Sequence, residues 1–245
     1  MENTSRKIEL VTKEPPPEDL QEYIMWVLTQ DAGNNPVDDF TGERAARNQG
    51  RYHVWFIPGT TTDENKITRT CTVPSNTEIL ILAATSDSSY LEHEGAQDDG
   101  HLLAIAKEIA KLHKDVEITI TDDDGKGETF GVKDANNPQE GELKLSEAPA
   151  FPIIIPENNI YKKLYRVRGG YTHLAIVAWG IKVKLLEPGK YELIMKAHHD
   201  GTPKDQPLKV KNLEVPIARF NLDIEYTLTA IAEKGSLSPF AKYPE

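Results

Sequence analysis

The sequence predicts a mainly β protein, an antiparallel β-sandwich of the immunoglobulin-like or jelly-roll-like kind with an N-terminal helix and one inserted helix. Three observations carry this. The segments HVWFIP, ITRTCTV and TEILILAAT are short, rich in β-branched and aromatic residues, and separated by turn-forming stretches. LLEPGKYELIMKAHH and FNLDIEYTLTAI read as the closing strands of a sandwich: a Pro-Gly turn, an alternating strand, a long excursion and a final alternating strand. Only two stretches carry a sustained helical period, and no repeat of 20 to 50 residues suggests a propeller or solenoid.

Residues 1–14 are polar and read as a loose arm, with a single domain over 15–245. After the stop at Pro15 to Pro17, Leu20, Tyr23, Ile24, Val27 and Leu28 recur at helical spacing, and Glu18 and Asp19 complement the positive end of the dipole, so a helix is expected near 17–30. NNPVDDFTGERAARNQ is turn-rich, with a short helical turn near Glu43 to Asn48. HVWFIP and ITRTCTV read as a hairpin about the turn GTTTDENK, followed by TEILILAAT. HLLAIAKEIAKLHK is the second helix, near 101–113, with Asp98 or Asp99 as its cap. VEITITD, FPIIIP, YKKLYRVRGG and YTHLAIVAWGIKVKLL read as further strands. In the last strand of the chain, Leu222, Ile224, Tyr226 and Leu228 share one face and charged or hydroxyl residues the other.

A chain of 245 residues buries roughly 70 to 75% of its unfolded surface, so neither disulfides nor metals are needed to stabilise its core. Net charge of −11 argues against nucleic acid and against adsorption on anionic membranes; no run of apolar residues is long enough to insert in one. The chain as given opens without the apolar core of a secretory leader and reads as a soluble protein.

NPVDDFTGERAARNQ, VWFIPGT, RTCTVP, a capped helix running into VEITITDDDGKG, and PGKYELIMKAH with LDIEYTLTA, in that order, resemble a family of uncharacterised prokaryotic proteins, many of them secreted. The resemblance spans roughly Trp26 to Ala230. It implies a single β-rich domain and an extracytoplasmic origin, and it brings neither an assigned activity nor catalytic residues.

The candidate chemistry is sparse. In ITRTCTV, Ile67, Arg69, Cys71 and Val73 share the inner face, which makes the only cysteine an inert core residue rather than a nucleophile. A guanidinium on that face requires partners, and Asp38 and Asp39 are the expected ones, pinning NNPVDDFTG to the strand. The loop 87–99 holds Asp87, Glu92, Glu94, Asp98 and Asp99, enough carboxylates to suggest a calcium site, though without EF-hand spacing; TDDDGKGE is a weaker one. Adjacent His198 and His199 point to opposite strand faces, while His53 and His173 are candidates for a shared transition metal. No nucleophile elbow or Walker lysine is present. Trp179, Tyr171 and Tyr165 lie in or near strands and are the candidate sugar-stacking rings. The function expected is therefore a non-catalytic binding module for a glycan or a protein. The alternatives are a metal-assisted hydrolase using loop 87–99 or the histidines, and a homo-oligomeric subunit assembled through the apolar strands around Phe56, Ile81 and Ile154.

Overall fold

The computed structural model describes residues 6–60, 66–135, 139, 142–199, 201–202, 207–215, 217 and 220–232. Two five-stranded sheets face one another. Sheet A contains β1 (Ile8–Thr12), β2 (Trp55–Ile57), β4 (Glu78–Ser89), β7 (Leu145–Ile155) and β8 (Gly170–Leu185); β8 is flanked by β4 on one side and by β7 and β1 on the other, and β2 lies outside β4. Sheet B runs β3 (Ile67–Pro74), β12 (Phe220–Ile231), β9 (Gly189–His199), β5 (Lys114–Asp122), β6 (Gly127–Asp134). A small hairpin of β10 (Leu208–Val210) and β11 (Leu213–Val215) stands apart from both. Among the described residues there is no helix long and apolar enough to cross a membrane.

The core between the sheets is built from alternate residues: Ile67, Cys71 and Val73 of β3, Leu222, Ile224, Tyr226 and Leu228 of β12, and Trp179, Ile181 and Val183 of β8. Helix α1 (Pro17–Leu28) covers the outer face of sheet A, where Leu20, Tyr23, Ile24 and Val27 pack with Phe56, Leu80, Leu82, Ile176 and Ala178. With sheet B on one side and α1 on the other, β4 and β8 are buried on both faces, which is why they read as continuous apolar runs. Helix α2 (Asp99–Ala110) joins the sheets. Its Ala106 and Ala110 pack on Val177, two residues from Trp179 and therefore on the same face, so α2 continues the layer of sheet B. Asp98 caps α2, accepting a hydrogen bond from the His101 amide at 2.7 Å.

A bulge in β4 at Ala83 changes register opposite Trp179 and Gly180. The close approach there leaves no room for a side chain on β8: a Cβ on Gly180 would lie 2.4 Å from Leu82 Cδ2 and 2.6 Å from the Ile81 carbonyl.

Four expectations need correction. The arm 1–14 contains β1, whose Ile8 and Leu10 lie opposite Leu185 and Val183 at the edge of sheet A. HVWFIP and ITRTCTV are not a hairpin: β2 pairs parallel with β4 in sheet A, while β3 pairs parallel with β12 in sheet B, so the chain changes sheets between them. Residues 61–65 of that connection lie outside the described residues. YKKLYRVRGG holds helix α3 (Ile160–Tyr165), capped by the Asn159 side chain, which accepts from the Lys162 amide at 2.9 Å. Finally, β7 begins at Leu145, well before FPIIIP, because β8 supplies it with partners that its modest apolar content does not announce.

Candidate functional site

The Arg69 and Cys71 neighbourhood is structural in geometry. Cys71 lies in the inter-sheet core with its Sγ 3.6 Å from the Thr72 carbonyl, and burial pushes the thiol up to about 12 against the opposing hydrogen bond of Trp55. Arg69 is 1% exposed and, contrary to the expectation, pairs with neither Asp38 nor Asp39. Its guanidinium donates to the carbonyls of Gly59 at 2.9 Å, Pro58 at 3.4 Å and Val37 at 3.3 Å, and to the Tyr226 hydroxyl at 2.8 Å. Asp39 instead accepts from the amides of Thr41 and Arg44 and from the Thr41 hydroxyl; these donors outweigh its burial and hold its carboxyl below the usual range. Asp38 pairs with Lys163. The segment is pinned to β3 all the same, through backbone: the Thr70 amide donates to the Thr41 carbonyl at 2.8 Å. Gly42, at φ +87°, approaches so closely that a Cβ would lie 2.4 Å from the Thr70 carbonyl.

Of the five carboxylates of loop 87–99, Asp87 and Glu92 lie near enough for the charge of one to raise the pKa of the other, and the remaining three are engaged elsewhere or exposed. Asp98 caps α2, Glu94 is exposed, Asp99 binds His173, and Asp87 and Glu92 accept from the hydroxyls of Tyr161 and Ser89. Among the described residues, the one trio whose ligand atoms converge within 4.8 Å is Asp122, Asp123 and Asp124 in the β5–β6 turn, and there Lys7 Nζ already lies 2.6 Å from Asp123 and 3.0 Å from Asp124. His53 and His173 do not meet. His53 bonds to Asp19 and Glu22, while the buried His199 packs edge-on against His113, with ring centres 5.1 Å apart, and His198 faces outward.

Asp87 and Glu92 are nevertheless unusual. Burial pushes Asp87 up to about 6 although the Tyr161 hydroxyl opposes the shift, and Glu92 is raised well above its ordinary value by burial and then by the charge of Asp87. A carboxyl whose folded pKa exceeds its unfolded one favours folding at low pH, and that contribution is lost as pH rises through about 6. Asp87→Asn is therefore expected to gain stability relative to the parent by about 2 to 3 kcal/mol between pH 4 and pH 8. Thermal melts of both proteins across that range check this; a constant difference would show that Asp87 ionises as freely as in the unfolded chain.

The candidate rings separate. Trp179 is 2% exposed, in the inter-sheet core, where it offers no face to a ligand. Tyr165 ends α3, and its side chain lies outside the described residues. Tyr171 is 67% exposed, and its direct cross-strand partner on β7, Ile154, is 71% exposed. The Tyr171 hydroxyl lies 3.3 Å from His173 Nε2, and His173 Nδ1 lies 2.9 Å from Asp99 Oδ2. Tyr90 donates to Asp99 at 2.9 Å. His173, foremost, and Tyr90 hold the Asp99 carboxyl below its usual range despite some burial. Strand β8, the end of β4 and the first turn of α2 thus bring Tyr171, His173 and Asp99, expected to serve three different purposes, into one array at the open end of sheet A. Phe56 and Ile81, the other expected assembly residues, are fully buried.

Two features were not anticipated from the sequence. Asp19 of α1, fully buried, forms an ion pair at 2.9 Å with Lys182 of β8, which also reaches Glu78 at 3.0 Å. The burial of Lys182 works against its charge, but the hydrogen bonds of Asp19 and Glu78 prevail and raise its pKa. Lys182 is the one lysine inside the apolar run LAIVAWGIKV, a signal that a buried partner exists. The second is the cationic run that begins in α3.

No protein-family model matches the chain, and a search of curated proteins returns no similar sequence.

Proposed function

We propose that the protein is a non-catalytic binding module whose ligand is a neutral glycan held at the open end of sheet A. The observation that supports this reading is that the two most exposed large apolar side chains among the described residues, Ile154 and Tyr171, are direct cross-strand neighbours. A tyrosine ring tethered through its hydroxyl loses little freedom on binding and presents an apolar face to the C–H side of a sugar. His173 and Asp99 beside it supply a donor and an acceptor for sugar hydroxyls. A protein partner is the weaker fit, since a stable interface covers about 800 Å² on each side and two side chains are a small part of that. A metal-assisted hydrolase draws little support from loop 87–99, where no three ligand atoms converge among the described residues and Asp87 and Glu92 already accept from the hydroxyls of Tyr161 and Ser89.

A glycan array followed by calorimetry on the hits tests the reading. Tyr171→Ala is expected to weaken binding by about tenfold or more, roughly 1.4 kcal/mol, with little change in melting temperature because the ring is exposed. Absence of any glycan hit, or hits indifferent to Tyr171, would sink the proposal.

A further inference from the structure

The chain carries a net charge of −11, yet KKLYRVR, residues 162–168, places four cations in seven residues with no acid among them. Two are locally occupied: Lys163 by Asp38, and Lys162 by Glu157 at 2.8 Å. Arg166 and Arg168 are exposed, and neither forms an ion pair within 4.0 Å among the described residues. Together with Lys162 and Glu157 they line an open cleft of about 620 Å³.

The backbone fixes this arrangement. Arg166 ends α3 in the left-handed region at φ +61°, its amide donating to the Lys162 carbonyl at 3.1 Å. Val167 turns inward, buried, and its amide donates to the Tyr161 carbonyl at 3.3 Å, so its two arginine neighbours both face out. The Gly169 amide donates to Glu157 Oε2 at 3.2 Å, and a Cβ on Gly169 would lie 2.5 Å from the Glu157 amide nitrogen, which ties the far wall to the near one.

We infer that this cleft is an oxyanion site, in which Arg166 and Arg168 receive a tetrahedral phosphate or sulfate group and Lys162 completes the charge. The lining carries three positive charges against the one negative charge of Glu157. Guanidinium groups bind such oxygens through paired, charge-assisted hydrogen bonds, and Glu157, held below its usual range by Lys162 foremost and also by Arg168, balances only one of the three cations of the cleft. The inference does not depend on the glycan platform. The two are nonetheless adjacent in the chain: Arg168 precedes Tyr171 by three residues, which puts their Cα atoms within about 11 Å.

The test is calorimetric titration of the full chain with inorganic phosphate, inorganic sulfate and a sulfated disaccharide, with chloride at matched ionic strength as the control. Saturable one-to-one binding is expected, weakened about tenfold by Arg166→Ala and by Arg168→Ala, with melting temperatures unchanged because both side chains are exposed. Tighter binding of the disaccharide than of the free ions would identify an ester group as the source of the anion; equal binding would identify the free ion. Tyr171→Ala is expected to leave inorganic phosphate binding intact, so failure of the glycan reading and failure of this one are told apart. Binding to none of the three anions, or binding that both arginine variants retain, would overturn the inference.

Discussion

Lys182→Ala is expected to destabilise the protein by about 3 to 5 kcal/mol. The reason lies in what remains. Asp19 is fully buried beneath α1, and Lys182 is its cationic partner from the sheet, 2.9 Å away. His53 also touches Asp19, at 2.8 Å, but from a side chain nearly half exposed. Removing the ammonium leaves a carboxylate in an apolar layer built from Leu20, Ile24, Leu80 and Leu82, and leaves Glu78 with only Lys184. The companion measurement is the double variant Asp19→Asn with Lys182→Met, which removes both charges and keeps the volume. It is expected to recover much of the loss, since breaking a buried pair costs more than replacing it. Equal melting temperatures for Lys182→Ala and the parent would show that α1 tolerates the unpaired charge.

Arg69→Met is expected to lose about 2 to 4 kcal/mol of stability. Methionine fills similar space and removes the cost of burying a cation, so a loss of stability isolates the hydrogen bonds. Those bonds are distributed: Arg69 stands on β3 of sheet B, its carbonyl partners come from the 58–59 turn after β2 and from Val37, and Tyr226 comes from β12. One side chain therefore ties both sheets and the turn-rich segment together at the β2/β3 side of the sandwich. Arg69→Lys is not expected to rescue, because one ammonium cannot reproduce a fork that reaches separate backbone segments. An unchanged melting temperature for Arg69→Met would mean that those bonds return no more than the buried charge costs.

The residues that a strand or helix period can place were legible in the sequence. The alternation of Ile67, Arg69, Cys71 and Val73 assigned all four to the inner face, Asp98, one of the two candidate caps, starts α2, and the last two long strands are neighbours in sheet B. What a period cannot give is the identity of the strand alongside. It reports which face is wet, so β2 and β3 read as a hairpin although each pairs elsewhere. Arg69 illustrates the same limit at the level of one side chain. Its need for partners followed from its position, but carbonyls occur at every residue and leave no signature, whereas Asp38 and Asp39 stood out and were not the ones used. Tyr171, His173 and Asp99 each stood out for a different reason, a ring, a metal ligand and a loop carboxylate. Their convergence depends on α2 docking where sheet B leaves off, which no local pattern encodes.

The parallel pairing of β3 with β12 has a consequence for how the chain acquires its fold. β12 is the only strand that β3 pairs with among the described residues, and it emerges from synthesis roughly 150 residues later. Until then β9 and β3 lack the strand that joins them, and β3 has no hydrogen-bonded strand neighbour among the described residues. Sheet B is thus closed by almost the last described segment to be made, so a ribosome stalled short of residue 220 would hold an open half-sandwich with an adhesive edge, a natural client for holding chaperones.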